Sequence, residues 1–426
     1  MNGGATPLFS WGWDGFGQTG TGNGDQVSCL VLSINLIHCG NEFRNSVPVR
    51  LQVDGPECID VSPESPLISL SASAFHSAAV DMEGSLWRWG NARHGQLGLG
   101  NSADEELRTP TTRQHSAASA SSSGGPSRRL AKDNVPALRF RKVACGTFHT
   151  IAVDATGRAW ACGLNSRGQV GVSQHEEDTQ GKVWDLTRVD DVEQVVAVDC
   201  GHEFTACVTA DGIVFTCGDN SNGQLGRKIM RGGQGARSGS CSKLEPVRFH
   251  IGVKIHSVAC GQEHMLLLSA VGAIYSCGAG DDGQLGLGNE ISFESPQEVE
   301  TFLRLGAVVA LIRAGGNSSA ALDEQGNLFV WGSNKEGNLG LGDFDSRHRP
   351  TALRALTEVA DVAVGEDHMA ALCLGDRQQV YTWGRSAGGR LGIGDVRHIL
   401  WTAAALTMQL MGRRWLAFRR YVRPGY

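Results

Sequence analysis

Apolar residues in this chain come in runs of four to six broken by glycine, and one stretch shows the pattern clearly. Residues 257–288 read SVACGQEHMLLLSAVGAIYSCGAGDDGQLGLG. A short apolar run ends at Cys260-Gly261, His264 leads into MLLLS, Gly272 marks a turn, AIYSCG resumes and GQLGLG closes. Runs of this length suit strands and are too short for helices. The pattern predicts a hairpin with a glycine-rich exit.

That hairpin recurs in fixed register. From the first Cys-Gly slot to the later Trp/Cys-Gly slot the spacing is 17 residues in five copies: Ala72 to Trp89, Cys145 to Cys162, Cys200 to Cys217, Cys260 to Cys277 and Ala314 to Trp331. A sixth copy, Val364 to Trp383, is two residues longer. Four residues after each start stand His76, His149, Phe204, His264, Ser318 and His368. Gly-Gln-x-Gly exits or close variants begin at Gly17, Gly95, Gly168, Gly223, Gly283, Gly337 and Gly389.

A period of roughly 50 to 60 residues, enough for four short strands, points to a propeller or array, not to separate domains. Each unit has apolar strand faces that it buries only against its neighbours. The repeat resembles that of the regulator of chromosome condensation family, and CGTFHTIAVDATGRAWACGLNSRGQVG at 145–171 carries the likeness best. The resemblance implies an all-β fold, a seven-bladed β-propeller of four-stranded blades, over residues 1–400. Leu8 to Gly12 would supply the second half of a blade. The carboxyl end lacks the half-unit that would complete it, so closure of the last blade stays open.

Three stretches interrupt the array. Residues 25–43 read either as an extra loop or strand on the rim or as sequence foreign to the fold. Residues 101–137, with HSAASASSSGGPSRR, are too polar and small-residue-rich to order themselves. Residues 227–244 bring Arg227, Lys228, Arg231 and Arg237, charges that suit an acidic partner or a solvated loop. The tail, 401–426, interleaves arginine with Trp415, Phe418 and Tyr421. It reads as a substitute for missing strands, an unstructured end, or a membrane or nucleic-acid contact.

Composition narrows the function. The chain has 426 residues and a formal charge of −6, which gives no global attraction to nucleic acid. The amino terminus enters the first repeat almost at once, with no secretory signal, and no apolar run approaches the ~18 residues of a membrane span. Six of the twelve cysteines fill repeat slots and no CxxC pair occurs, which favours structural thiols in the cytoplasm or nucleus. The recurring histidines hold equivalent places in successive units, too far apart to share a metal. Ser386 in GRSAG and the GxGxxG matches at Gly15 and Gly278 fall on exit loops with no helix to follow. No cofactor, metal or covalent catalysis is expected.

The rim loops remain, since loops on a rigid propeller carry binding. In exchange factors of the family, acidic and histidine side chains of these loops help displace nucleotide from a GTPase. The resemblance thus implies GTPase contacts at Glu203, Glu263, Asn317, Glu366 and Asp367, with Arg227, Lys228, Arg231 and Arg237 as a projecting wedge. Glu203 matches the place of an essential aspartate, whereas Thr147 and Asn317 depart from the pattern. The tryptophans of the family's ultraviolet-B photoreceptor are replaced here by Ala74, Thr147, His202, Gln262, Gly316 and Glu366, which argues against light sensing. The expectation is a monomeric protein-interaction propeller, a guanine-nucleotide exchange factor for a Ran-like or other small GTPase. The alternative is an adaptor without exchange activity.

Overall fold

The computed structural model describes residues 10–11, 30–31, 67–100, 106–111, 138–172, 181–229, 239–248, 252–374, 379–385, 391 and 404–406. Among them are six four-stranded antiparallel sheets, each with its strands in chain order. Blade one comprises Leu67–Ala72, His76–Asp81, Leu86–Asn91 and Glu106–Thr111. Blade two comprises Phe140–Cys145, His149–Asp154, Ala159–Leu164 and Lys182–Val189. Blade three comprises Val195–Cys200, Phe204–Thr209, Val214–Asp219 and Ser240–Pro246. Blade four comprises Ile255–Cys260, His264–Ser269, Ile274–Gly278 and Phe293–Glu298. Blade five comprises Val309–Gly315, Ser318–Asp323, Leu328–Gly332 and Arg347–Ala352. Blade six comprises Val359–Val364, His368–Cys373, Gln379–Gly384 and Ala404–Leu406. Their first strands lie side by side in succession, so the fold is a β-propeller.

Six complete blades lie among the described residues, which do not reach the expected count of seven. What stands in place of a seventh is a two-stranded ribbon, Ser10–Trp11 against Leu30–Val31. Trp11 occupies the Trp-Gly slot of a third strand, so the ribbon corresponds to the second half of a unit. Four sequence boundaries also move: Glu106–Thr111, inside the stretch 101–137 expected not to order itself, is the outer strand of blade one and pairs with Arg88 to Asn91. Leu30–Val31 lies inside the interruption at 25–43, and Ser240 begins blade three's outer strand inside the stretch 227–244. Ala404–Leu406, inside the tail, pairs with Val380 to Thr382 as the outer strand of blade six. Strand pairing to an open edge decides these places, whereas composition marked only departures from the repeat. The rest of 25–43, of 101–137 outside Glu106–Thr111, and of the tail lies outside the described residues, as do Arg231, Arg237 and Ser386.

The apolar faces meet between blades. One cluster joins Ile151 and Val153 of blade two to Val195, Cys207 and Cys217 of blade three. Another joins Phe204 and Leu225 to Val258, Met265 and Leu267 of blade four. Full burial of each such leucine contributes roughly 1.5–3 kcal/mol. The larger clusters each span two blades, whereas a small one, Ala79 and Trp89 with Leu67, Leu70 and Trp87, lies within blade one.

Polar groups set the order of the blades. The exit-loop glutamine folds its own loop, as when Gln169 Oε1 accepts from the Arg167 N–H at 2.8 Å. Its backbone carbonyl is left facing the next blade. Thr205 Oγ1 of blade three donates to the Gln169 carbonyl at 2.7 Å, and Cys217 Sγ lies 3.6 Å from the same oxygen. Since the threonine proton is spent on that carbonyl, His149 Nε2 of blade two must donate to Thr205 Oγ1, 3.0 Å away. The same arrangement links His76, Thr150 and Gln96 (2.7 and 2.7 Å) between blades one and two. It links His264, Ser319 and Gln284 (2.8 and 2.9 Å) between blades four and five. Where Phe204 replaces the histidine, Met265 replaces the hydroxyl, and donor and acceptor disappear together.

The repeated Trp/Cys slot acquires a reason from this geometry. Trp331 Nε1 donates to the Gln284 carbonyl and Trp383 Nε1 to that of Asn338, both at 2.9 Å. Cys162 reaches Gln96 at 3.4 Å. Thiol and indole are both donors that fit the slot. The glycine that follows is equally constrained: Gly163 has φ +114, and a Cβ there would lie 2.4 Å from the Phe148 carbonyl.

The first strand of each blade is a sheet edge, and in blades two, four and six side chains of the preceding blade cover its backbone. Ser69 and Ser71 accept from the Val143 and Cys145 N–H groups at 3.1 and 2.9 Å. Asp199 accepts from the Cys260 N–H at 2.8 Å, and Arg313 donates to the Val362 carbonyl at 3.1 Å. Burial pushes the Asp199 carboxyl up to about 6 against the pull of those amides.

Thr205→Val would leave the His149 Nε2–H and one lone pair of the Gln169 carbonyl unmatched, a loss of about 1–3 kcal/mol in urea unfolding. His149→Phe combined with Thr205→Met copies the Phe204–Met265 pair and is expected to recover most of it. Burial holds His149 down at about 4 from an ordinary 6.5. Its contribution is therefore full above pH 6.5 and is lost as pH falls toward 4, because the unfolded chain binds the proton first. The double variant should lose stability less steeply over that window. A double variant no more stable than Thr205→Val would refute the pairing.

Candidate functional site

Every blade's first and second strands are joined by a two-residue loop after the Cys-Gly slot, and these loops share one face with the exit loops. The residue just before the second strand is Phe75, Phe148, Glu203, Glu263, Asn317 or Asp367. The candidate contact residues therefore do converge on a common face. The structure shows what each of them touches there.

Glu203 Oε2 of blade three lies 3.2 Å from Arg167 Nε in the exit loop of blade two. The same guanidinium is 4.0 Å from Asp219. Glu263 accepts from Asn222 Nδ2 at 2.9 Å, and Asn317 Nδ2 donates to Asp282 at 2.9 Å. Lys335 pairs with the other oxygen of Asp282 at 2.8 Å. Asp367 differs, taking Arg385 of its own blade at 3.1 Å, while Glu366 beside it is exposed. Between blades one and two the corresponding contact is aromatic: His94 lies 4.6 Å from Phe148, which stacks on Phe75 at 4.7 Å. Burial first, then Lys182 and Arg93, holds the His94 imidazole below its usual value.

One rule covers four of these contacts. The residue before each exit glycine, His94, Arg167, Asn222 or Asp282, meets the loop residue of the next blade. Sequence reasoning identified the loop side and missed the exit side. The signal was available, because the variable residue before the Gly-Gln pair changes character in step with the loop residue one repeat later.

The basic wedge divides. Arg227 is half-buried against blade three, with Nη1 2.9 Å from Glu245 and Nη2 donating to the Thr216 carbonyl at 3.0 Å. The outer strand resumes at Ser240 and brings Glu245 against it. Lys228 is exposed. The histidines at 76, 149 and 264 are spent on hydroxyl groups of the next blade. Among the described residues no group of three or more His, Cys, Asp or Glu side chains could hold a metal ion. The slot cysteines are free thiols, and burial pushes Cys145 and Cys162 up to about 12, far from reactive thiolates.

These features define a class: a β-propeller of four-stranded blades, joined by hydroxyl-to-carbonyl contacts, that gathers its variable residues on one loop face. The chain belongs to the RCC1-like family. The RCC1-like domain model matches residues 126–417, and the regulator of chromosome condensation (RCC1) repeat model matches 83–153. It is 29% identical over 335 residues to the ultraviolet-B receptor UVR8 of Arabidopsis thaliana, covering 77% of this chain and 67% of that protein. It is 29% identical over 418 residues to the mitochondrial RCC1 domain-containing protein RUG3 of the same plant, covering 87% and 88%. Human WBSCR16 shares the fold with a TM-score of 0.71 at 22% identity, over 94% of each chain. Prp20p of Saccharomyces cerevisiae, whose structure was described with its binding to Gsp1p and histones, gives 0.66 at 20%, over 92% of this chain and 84% of that one.

Arg227→Ala is expected to lower the urea-unfolding free energy by about 1 kcal/mol through its lost contacts with Glu245 and the Thr216 carbonyl. Lys228→Ala should leave it within about 0.5 kcal/mol. Equal stability of the two variants would show that Arg227 is free of blade three.

Proposed function

We propose that this chain is a protein-binding propeller that regulates a small GTPase by nucleotide exchange through its loop face. The observation that carries the reading is Glu203. Its carboxylate stands on the loop face, 29% exposed, aligned by Arg167 beside Asp219. Glu263, Glu366 and Asp367 extend the acidic row around the face.

The mechanism needs no covalent step. A GTPase holds its nucleotide through cationic and amide groups on the phosphates. A carboxylate presented at that loop competes for the same cation once the phosphates leave. A surface that binds the nucleotide-free GTPase more tightly than the loaded one weakens nucleotide by the same factor. Glu203 is the competing carboxylate in this reading, Arg167 its positioning partner, and Lys228 an outlying contact with an acidic surface. Arg231 and Arg237 keep the role of wedge charges. The free slot thiols fit the cytoplasm or nucleus, as reduced thiols do. No helix of the described residues is long and apolar enough to cross a membrane.

A second reading has its own support. Glu203, Glu263, Asn317 and Asp367 are each already bonded to a neighbouring loop, which favours an adaptor whose rim residues shape the surface without displacing anything.

Release of fluorescent nucleotide from a panel of small GTPases, Ran-type included, separates the two. Accelerated release from one member, reduced at least about tenfold by Glu203→Ala with complex formation retained, is the expected result. Complex formation without acceleration would establish the adaptor, and acceleration indifferent to Glu203→Ala would overturn the site.

A further inference from the structure

The first strands of successive blades lie side by side around the axis, so their free edges line the central channel of the propeller. Their register repeats. In blade one Ser69 and Ser71 accept from the Val143 and Cys145 N–H groups of blade two. Cys145 is the Cys-Gly slot of that strand and Val143 stands two residues before it. Amides at these two positions therefore point to the channel edge, where each needs an acceptor.

Carboxylates meet the need elsewhere. In blade six the Val362 N–H donates to Asp361 at 2.8 Å, and Arg313 Nη2 of blade five donates to the same oxygen at 3.1 Å. Asp199 takes the Cys200 and Cys260 amides, one on each oxygen, at 2.9 and 2.8 Å. Val198 in blade three is different. It stands two residues before its slot and pairs with the second strand in the register of Val143 and Val362, so its N–H faces the channel as theirs do. The preceding blade offers Lys142 in the place of Ser69, and its own strand offers Ala197 in the place of Asp361. Neither can accept. An ammonium stands where the fold calls for an oxygen.

Lys142 is exposed and has no ion pair among the described residues. Burial first, then Arg313 and Arg141, holds its ammonium below the ordinary value. A lysine that is open to solvent and yet crowded by protein lines a passage, not an outer surface. Arg313 belongs to a blade that does not adjoin blade two, so these two cations approach across the channel. Arg141 is tied to the Val195 carbonyl, and Arg313 spends its donors on Val362, Asp361 and Ile312. The channel acids are likewise occupied, which leaves Lys142 and the Val198 amide as its unmatched donors. Like charges gathered in an enclosed space concentrate ions of the opposite sign.

We propose that the channel binds a small tetrahedral oxyanion, phosphate or sulfate, on the Lys142 ammonium and the Val198 N–H. Two donors from adjacent strands call for a ligand with several acceptor oxygens, which a halide lacks. Lys142 supplies the charge-assisted bond, Val198 the oriented amide, and Arg313 attraction at longer range. The bound oxygen would also cover the open edge of blade three, the task that Ser69 performs for blade two. The site is separate from the loop face and independent of any GTPase.

The test titrates the full chain with inorganic phosphate at neutral pH in a calorimeter, with sodium chloride holding the ionic strength constant. One phosphate per chain is expected, with affinity reduced at least about tenfold by Lys142→Met and kept by Lys142→Arg. Lys243→Met, on the outer strand of blade three, should change nothing. Phosphate should raise the thermal midpoint of the native chain and leave that of Lys142→Met where it was. Without phosphate, Lys142→Met should unfold no earlier than the native chain, because the ammonium makes no bond in the fold. No bound phosphate, equal binding by Lys142→Met, or the same loss from Lys243→Met would overturn the proposal. So would acetate binding as tightly as phosphate, or a Lys142→Met chain that unfolds early, because the lysine would then read carboxylates or serve the fold alone.

Discussion

The structure depends on one backbone oxygen per blade. The exit loop of each repeat turns a glutamine or asparagine carbonyl toward the next blade, where a carbonyl without donors would cost about as much as a lost buried hydrogen bond. At three of the five described junctions a hydroxyl from the second strand and an indole or thiol from the third fill its two lone pairs, as Ser319 and Trp331 do at Gln284, whereas Met265 and Met369 take the hydroxyl's place at the other two. Histidine then reaches over from the first blade to complete the hydroxyl. Three repeat positions widely separated in sequence are one contact in space.

That contact explains which parts of the fold were legible from residues alone. The phasing of Cys-Gly, His and Gly-Gln-x-Gly along the chain reflects a single geometric requirement, so strands and turns followed directly from the repeat. The thiols read as small hydrophobes are that and donors as well, which spacing could not reveal. The blade count was less accessible, because Trp11 announces a third strand whether or not a first and second accompany it. The outer strand Ala404–Leu406 was hidden for the opposite reason: three residues pairing to an edge need no repeat signature. The helix Glu300–Leu305 was missed because six residues hold too little periodicity to separate a turn of helix from a connector.

The candidate site was legible by half. The loop positions of Glu203, Glu263, Asn317 and Asp367 came from the repeat, but their bonding partners depend on the angle between blades. Arg227 shows the same limit, since its charge suggested docking and the structure pairs it with Glu245. The rim therefore has two tasks, joining blades and offering a surface. A partner binding there must either use the residual acceptor capacity of these carboxylates or exchange one bond for another. The second choice ties partner binding to blade contacts and makes Arg167 as consequential as Glu203.

The protonation of the junction histidines tests the account most directly. Nitrogen-15 shifts of the imidazole rings, followed from pH 7.5 to pH 5, report both tautomer and charge. His76, His149 and His264 are each pushed down to about 3 or 4 by burial, and their geometry requires the proton on Nε2. All three rings should therefore stay neutral Nε2–H tautomers across the range. Imidazolium signals at pH 5, or a proton resting on Nδ1, would contradict the claim that these rings donate to the next blade.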